Sequence, residues 1–367
     1  MRFSPAIAVS IFLAIGLAFP ACAEPENGIT YDPNLIISYD DWTAVLKETV
    51  WDTGPSSRTY APRVRPTIGT RLSSASQSPT RLEANKVLFH SLSDGEKDVV
   101  SAIRRSLERL PDEMPLENLS PSEQLAYWLN LRNVAVFEAL AEEWPLSNLR
   151  KWAANLDDSK ILDVAGRAMS IRDIELLVMD QWPNPLVAYG FYLGNIGSPN
   201  LMTEAFNGDD VWPQLQANAK EFISSLRGVQ FAGPVVKVST FYERVAPLFP
   251  DFEVDLKAHL LEFAKPSMQA RLYPATEFKA VVEDWGIADL YNGKIYSAGA
   301  SNATNPAAFI LAMGKNPLAN KARVDAVLRG LPAHAQVFAK EIAMRNYLRD
   351  RNREGIISIE EVDPEKD

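Results

Sequence analysis

The stretch NPLVAYGFYLGNIGSPNL, residues 184–201, joins a long apolar run to a short polar loop. Its first half is an unbroken apolar and aromatic run, which is typical of a buried strand. Its second half carries the glycine, asparagine, serine and proline of turns. The pattern predicts a strand over 185–193 that holds a short polar loop containing Asn195 and Ser198, and such loops often carry functional groups.

Helix signals flank this stretch. Ser120-Pro121-Ser122-Glu123 combines an N-cap serine with proline at the first helical position and glutamate at the third. The helix that follows is apolar around almost its whole circumference, so we expect it to be central. Asn130 and Asn133 share one of its faces. They are candidates for ligand binding, but a structural role in tying loops to the core is favoured.

Other segments are shorter and more ordinary. Asp40 or Asp41 is expected to cap a short helix that carries Trp42. A helix starting at Ser93 is expected to end before Pro111, and Ser170-Ile171-Arg172-Asp173 repeats the capping signal. Strands are predicted over 82–90, 235–238 and 277–282, and helices over 211–226, 254–263, 306–314, 319–329 and 333–349.

Composition limits the class of protein. The chain has 367 residues, 37 basic against 47 acidic, and a formal net charge of −10. An acidic balance disfavours nucleic acid as a partner. We expect an α+β fold: a helix-rich single large domain with a small sheet containing the 185–193 strand, plus an irregular N-terminal and a helical C-terminal extension.

The N-terminus has the three parts of a secretory signal peptide: Arg2, an apolar run from Ala6 to Phe19, and Ala21-Cys22-Ala23. Cleavage after Ala23 would leave a periplasmic or secreted protein without a transmembrane segment. Lipidation of Cys22, giving a lipoprotein, is the alternative. Because Cys22 is the only cysteine, cleavage after Ala23 also excludes disulfides and thiol chemistry.

Four regions are predicted: the signal peptide at 1–23, an N-terminal extension at 24–85, a main domain at 86–290 and a C-terminal extension at 291–367. The first extension contains a Ser/Thr/Pro-rich segment from Asp52 to Arg81 with five arginines and one acid. Pairing of this basic segment with the protein's own acidic surface is favoured over a site for an anionic ligand.

The C-terminal extension contains a candidate calcium loop from Asp350 to Glu361. Oxygen ligands would come from Asp350, Asn352, Glu354 and Glu361, with Gly355 at the sixth position. Calcium is therefore the one cofactor that the sequence suggests. A charged tail with a glycine turn is the favoured alternative, because basic neighbours and Pro364 interrupt the motif.

Taken together, five ordered blocks resemble the domain of unknown function 547 family, whose members are mostly bacterial and often exported. The blocks are Gln124–Asn133, Ser170–Glu175, Asn184–Leu201, Val236–Ser239 and Asp284–Gly286. The resemblance implies histidines where this chain has Leu176 and Ala188, and cysteines where it has Leu193 and Ser198. Family chemistry based on cysteine and histidine would then be lost here.

Two functions remain open. The first is an exported, non-catalytic binding or scaffolding protein of the cell envelope, with an envelope protein or a small ligand as partner. The second is an envelope hydrolase or transferase in which Ser198 replaces a family cysteine and Glu175 assists. A role for Ser198 as a turn residue is favoured, because the motif lacks the spacing of a nucleophile elbow. His259, which is not in any matching block, is interpreted as an ordinary helical histidine.

Overall fold

A computed structural model describes residues 31–61 and 78–289. The helices are α1 (Asp40–Thr49), α2 (Asp94–Glu113), α3 (Pro121–Glu143), α4 (Leu149–Asp158), α5 (Ile171–Gln181), α6 (Val211–Ser224), α7 (Phe241–Arg244), α8 (Phe252–Phe263) and α9 (Pro266–Leu272). The strands are β1 (Val50–Trp51), β2 (Lys86–Val87), β3 (Leu162–Val164), β4 (Arg167–Met169), β5 (Val229–Ala232), β6 (Val235–Ser239) and β7 (Glu277–Val282).

The predicted α+β class is confirmed: helices dominate and the sheets are small. β1 pairs with β2 and β3 with β4, both antiparallel. In the largest sheet of the described residues, β6 lies between antiparallel β5 and parallel β7. Among the helices of residues 31–61 and 78–289, none has the length and the apolar composition of a membrane span.

Helix α3 is central, as the sequence predicts. The Ser120 hydroxyl accepts a hydrogen bond from the Glu123 N–H at 3.2 Å, which caps the helix. Buried residues occur on all sides of α3, and α2, α5 and α6 pack against it. The N-terminal segment joins the same core through Trp42 and Leu46 of α1.

The predicted strand over 185–193 is wrong: Pro185–Gly190 forms a 3₁₀ helix. The Asn184 side chain accepts from the Leu186 N–H at 3.0 Å and starts this helix, with Pro185 in its first turn. Gly190 packs so closely on Leu129 of α3 that an added Cβ would lie 2.6 Å from its Cδ2. A continuous apolar run indicates burial but not the backbone conformation, and here the run is buried against helices.

Three smaller predictions are also corrected. The strand expected over 82–90 is reduced to β2, which a 3₁₀ turn at Phe89–Ser91 follows. Tyr39, not an aspartate, is the N-cap of α1, and no side chain of residues 31–61 or 78–289 caps that helix end. Asp40 instead accepts a hydrogen bond from Ser38 at 2.9 Å. Helix α2 runs through Pro111 to Glu113 rather than ending before it.

The other elements agree closely with the sequence. Capping boxes at Ser93 and Ser170 begin α2 and α5. Elements α6, β6, α8 and β7 lie within two residues of their predicted bounds. The signal peptide, the 306–349 helices and the calcium loop lie outside the described residues.

The continuation of α2 past Pro111 has a specific cause. Proline has no N–H, so the Leu107 carbonyl four residues earlier loses its helical partner. The Tyr127 hydroxyl of α3 donates to that carbonyl at 3.0 Å and replaces the missing bond. A neighbouring helix thus satisfies the backbone group that the proline leaves unpaired.

This arrangement predicts a coupled pair of substitutions. Tyr127→Phe should lower the free energy of unfolding by about 1–3 kcal/mol, because it leaves a buried carbonyl unpaired. In a Pro111→Ala background the loss should be smaller, since residue 111 then supplies its own N–H. Urea denaturation of the four proteins tests this. An equal cost of Tyr127→Phe in both backgrounds would contradict it.

Candidate functional site

Hydrogen bonds to its backbone hold the loop that contains Ser198 against two other segments of the chain. Ile196 N–H donates to the Gly286 carbonyl at 2.8 Å, and Gly197 N–H donates to the Asp284 carbonyl at 2.9 Å. The Ser239 hydroxyl of β6 donates to the Gly197 carbonyl at 2.8 Å. An added Cβ on Gly197 would lie 3.0 Å from the Asp284 backbone, so the two segments are in close contact. The loop is therefore a fixed part of the interior.

Ser198 is enclosed and its hydroxyl is engaged. Its residual exposure is 1%, and Oγ donates to the Asn195 carbonyl three residues earlier at 3.0 Å. Its own carbonyl accepts a hydrogen bond from the Arg227 guanidinium. Within the described residues, no hydrogen bond connects Ser198 with Glu175 or with a histidine. The structure therefore does not bring the two predicted catalytic residues into hydrogen-bond contact.

The asparagine candidates mostly bind the protein's own backbone. Asn130 donates to the Phe206 carbonyl at 2.7 Å and accepts from the Phe206 N–H at 3.0 Å. Asn133 donates to the Gly190 carbonyl at 2.9 Å. Asn195 donates to the Asp284 carbonyl at 3.0 Å, while its buried Oδ1 has no hydrogen-bond partner among the described residues. The pair in α3 thus ties loops to the core, and a ligand at these amides stays a prediction.

Glu175 is the centre of a buried charge cluster. Arg132 of α3 donates to its Oε1 from Nη2 at 2.6 Å, and both side chains have 0% exposure. Arg172 and Arg244 each reach Oε2 at 2.8 Å, and Arg244 also forms a bidentate pair with Asp157. Burial acts to raise the pKa of Glu175, but the charges of Arg132 and Arg244 and their hydrogen bonds outweigh it. The pKa falls to about 2.

Arg227 forms a second buried centre that the sequence did not indicate. Its guanidinium donates to Asn200 Oδ1 at 2.9 Å and to the Glu221 carboxylate, in addition to the Ser198 carbonyl. Glu83 accepts the backbone N–H groups of Leu226 and Arg227 at 3.1 and 2.9 Å. This centre connects the N-terminal extension with α6 and with the Ser198 loop.

His259 lies in helix α8, as the sequence predicts, and it is buried as a member of a polar chain. Its Nε2 lies 2.8 Å from the Tyr189 hydroxyl, which lies 3.0 Å from the Tyr242 hydroxyl. Burial lowers the pKa of His259 to about 4. The apolar spacing of Leu256, Leu260 and Phe263 on one face of α8 is the signal that could have predicted this burial.

In the described part of the chain, no group of three or more His, Cys, Asp or Glu side chains is suited to bind a metal ion. The four predicted calcium ligands, Asp350, Asn352, Glu354 and Glu361, lie outside these residues. Calcium at the C-terminal loop stays a prediction.

The described residues form a helix-rich α+β fold in which the loop around Ser198 is buried and hydrogen-bonded to other segments. Residues 116–223 match the family described as "Protein of unknown function, DUF547", so the resemblance is confirmed over that segment. The match spans α3 to α6 and includes Glu175 and Ser198. No curated protein and no solved structure gives a significant match to the chain.

Proposed function

We propose that this chain is an exported cell-envelope protein that binds or scaffolds a partner and does not use Ser198 as a nucleophile. The observation that supports the non-catalytic role most directly is the hydrogen bond from Ser198 Oγ to the Asn195 carbonyl. A serine nucleophile needs a base that accepts its proton, and a peptide carbonyl is not such a base. The partner is an envelope protein or a small ligand.

The surroundings of Ser198 support the same proposal. At 1% exposure its hydroxyl lies beneath the surface. Glu175 is held by three arginines, and its low pKa keeps it ionised and weakly basic at neutral pH. Both predicted catalytic groups thus have partners that stabilise the fold.

A fluorophosphonate probe, which labels activated serines, tests the proposal directly. We expect wild type and Ser198→Ala to show equally little labelling, and neither to hydrolyse a panel of model esters and amides. Ser101→Ala serves as a control for the loss of a partly buried serine hydroxyl that bonds Glu138. Labelling of the wild type that disappears only in Ser198→Ala would establish the hydrolase instead.

Export is tested separately by the mass of the mature protein in a bacterial host. Cleavage after Ala23 and recovery from the periplasm or the medium support the proposal. An acylated N-terminal Cys22 would show a lipoprotein. An uncut N-terminus together with a cytoplasmic location would overturn the envelope assignment.

A further inference from the structure

The half-buried guanidinium of Arg58 lies against a set of acceptor groups and an aromatic ring that resembles a ligand-binding site. The Arg58 guanidinium donates from Nη1 to the carbonyls of Ser224 and Ser225, both at 3.0 Å, and from Nη2 to the Val229 carbonyl at 2.9 Å. The Met268 sulfur lies 3.7 Å from Nη1, and the Phe231 ring centroid lies 5.8 Å from Cζ. We call these groups the Arg58 cage: Ser224 O, Ser225 O, Val229 O, Met268 Sδ and the Phe231 ring.

The cage is chemically suited to a planar cation. Ser224 is the last residue of the 14-residue helix α6, whose final carbonyls lack helical partners and carry partial negative charge. The face of an aromatic ring also attracts cations. A guanidinium presents several N–H donors in one plane, so it can reach separate carbonyls at once, which a compact ammonium does less well.

The group that fills the cage belongs to the N-terminal extension. Arg58 lies in the segment from Gly54 to Ala61, here called the arm, and its own backbone is strained, with φ at +55°. Left-handed backbone is disfavoured for residues other than glycine, and it persists only where other contacts hold it. The arm's other side-chain contacts include the bond from Ser56 to Glu83 and a 3.4 Å bond from Tyr60 to Gln230.

We propose that the Arg58 cage is a guanidinium-binding site, which Arg58 occupies in the unbound protein and an arginine of a basic partner occupies when the arm moves away. The inference rests on the proposed binding function and names the chemistry of the partner. The net charge of −10 favours the approach of a basic partner. Arg271 already places a positive charge next to the cage, because its Cζ lies 4.1 Å from the centroid of the Phe231 ring. This charge disfavours a partner that carries a second basic side chain beside its arginine.

Removing the internal ligand tests the site. In Arg58→Ala, N-acetyl-arginine-N-methylamide should raise the melting temperature by roughly 2–5 °C at ten times its Kd, because it binds only the folded form. The matching lysine compound should give a much smaller rise, and wild type should respond to neither. An arginine-containing peptide should bind Arg58→Ala at least tenfold more tightly than wild type, since the internal competitor is gone.

Measurements on the same variants also define the outcomes that would contradict the proposal. A folded Arg58→Ala that shows no rise, or equal rises with the arginine and lysine compounds, overturns it. If this variant does not fold, Arg58→Gln is measured in the same way. If neither folds alone, recovery of the fold on adding the arginine compound is expected, and its failure overturns the proposal. Fluorophosphonate labelling at Ser198 is independent of these results, so the two proposals fail separately.

Discussion

Replacing Glu175 by glutamine is expected to lower the free energy of unfolding by about 3–5 kcal/mol, because breaking one side of a buried ion pair leaves an uncompensated charge. Glutamine has nearly the shape of glutamate, so the loss reports charge rather than packing. Arg132, with 0% exposure, would keep its positive charge without its carboxylate partner. Chemical denaturation with urea measures the effect.

A surface pair provides the matched control. Lys47 and Glu204 lie 2.9 Å apart but are 57% and 59% exposed, so Lys47→Ala should cost about 0–1 kcal/mol. Replacing both members of the buried pair, as in Arg132→Met with Glu175→Leu, should cost less than Glu175→Gln, because the fully buried Arg132 charge is then removed together with its carboxylate partner. A loss below about 1 kcal/mol for Glu175→Gln would contradict a structural role for this cluster.

The features that sequence patterns predicted are those determined by neighbouring residues. The N-cap serines of α2, α3 and α5 bond N–H groups three residues away, so their signal is local and visible. The shared face of Asn130 and Asn133 follows from helical spacing alone, and both do tie loops to the core. The identities of the loops, at Phe206 and Gly190, are not encoded in that spacing.

The features that were missed depend on contacts between distant residues. Within the run at 185–193, every residue from 186 to 192 is buried, so the run shows no period that separates a strand from a 3₁₀ helix. In the buried charge cluster, Glu175 pairs with Arg132 and Arg244, which are 43 and 69 residues away in the sequence. No local rule predicts which arginine meets which carboxylate, so the candidate site could be proposed from the sequence but its partners could not.

The stability of the protein should fall by about 3 kcal/mol between pH 6.5 and pH 4 through His259 alone. Burial depresses the folded-state pKa of this histidine from an ordinary value of 6.5 to about 4. Between these two values the unfolded chain binds a proton that the folded chain does not, so acid favours unfolding. Each unit of difference corresponds to about 1.4 kcal/mol, and below pH 4 the contribution levels off.

Two variants distinguish the contribution of His259 to the pH dependence of stability from the contributions of other titratable groups. His259→Gln should lose the slope between pH 6.5 and 4, while Tyr189→Phe should keep it, because burial rather than the tyrosine hydrogen bond depresses this pKa. Glu175 affects stability at a lower pH than His259. Its stabilising effect is complete above pH 4.5 and is lost as the pH falls through about 2. Urea denaturation at each pH measures the difference between wild type and variant. A difference that is constant from pH 7 to 4 would show that His259 is protonated as readily in the folded protein as in the unfolded chain, and would therefore contradict its burial at the Tyr189–Tyr242 chain.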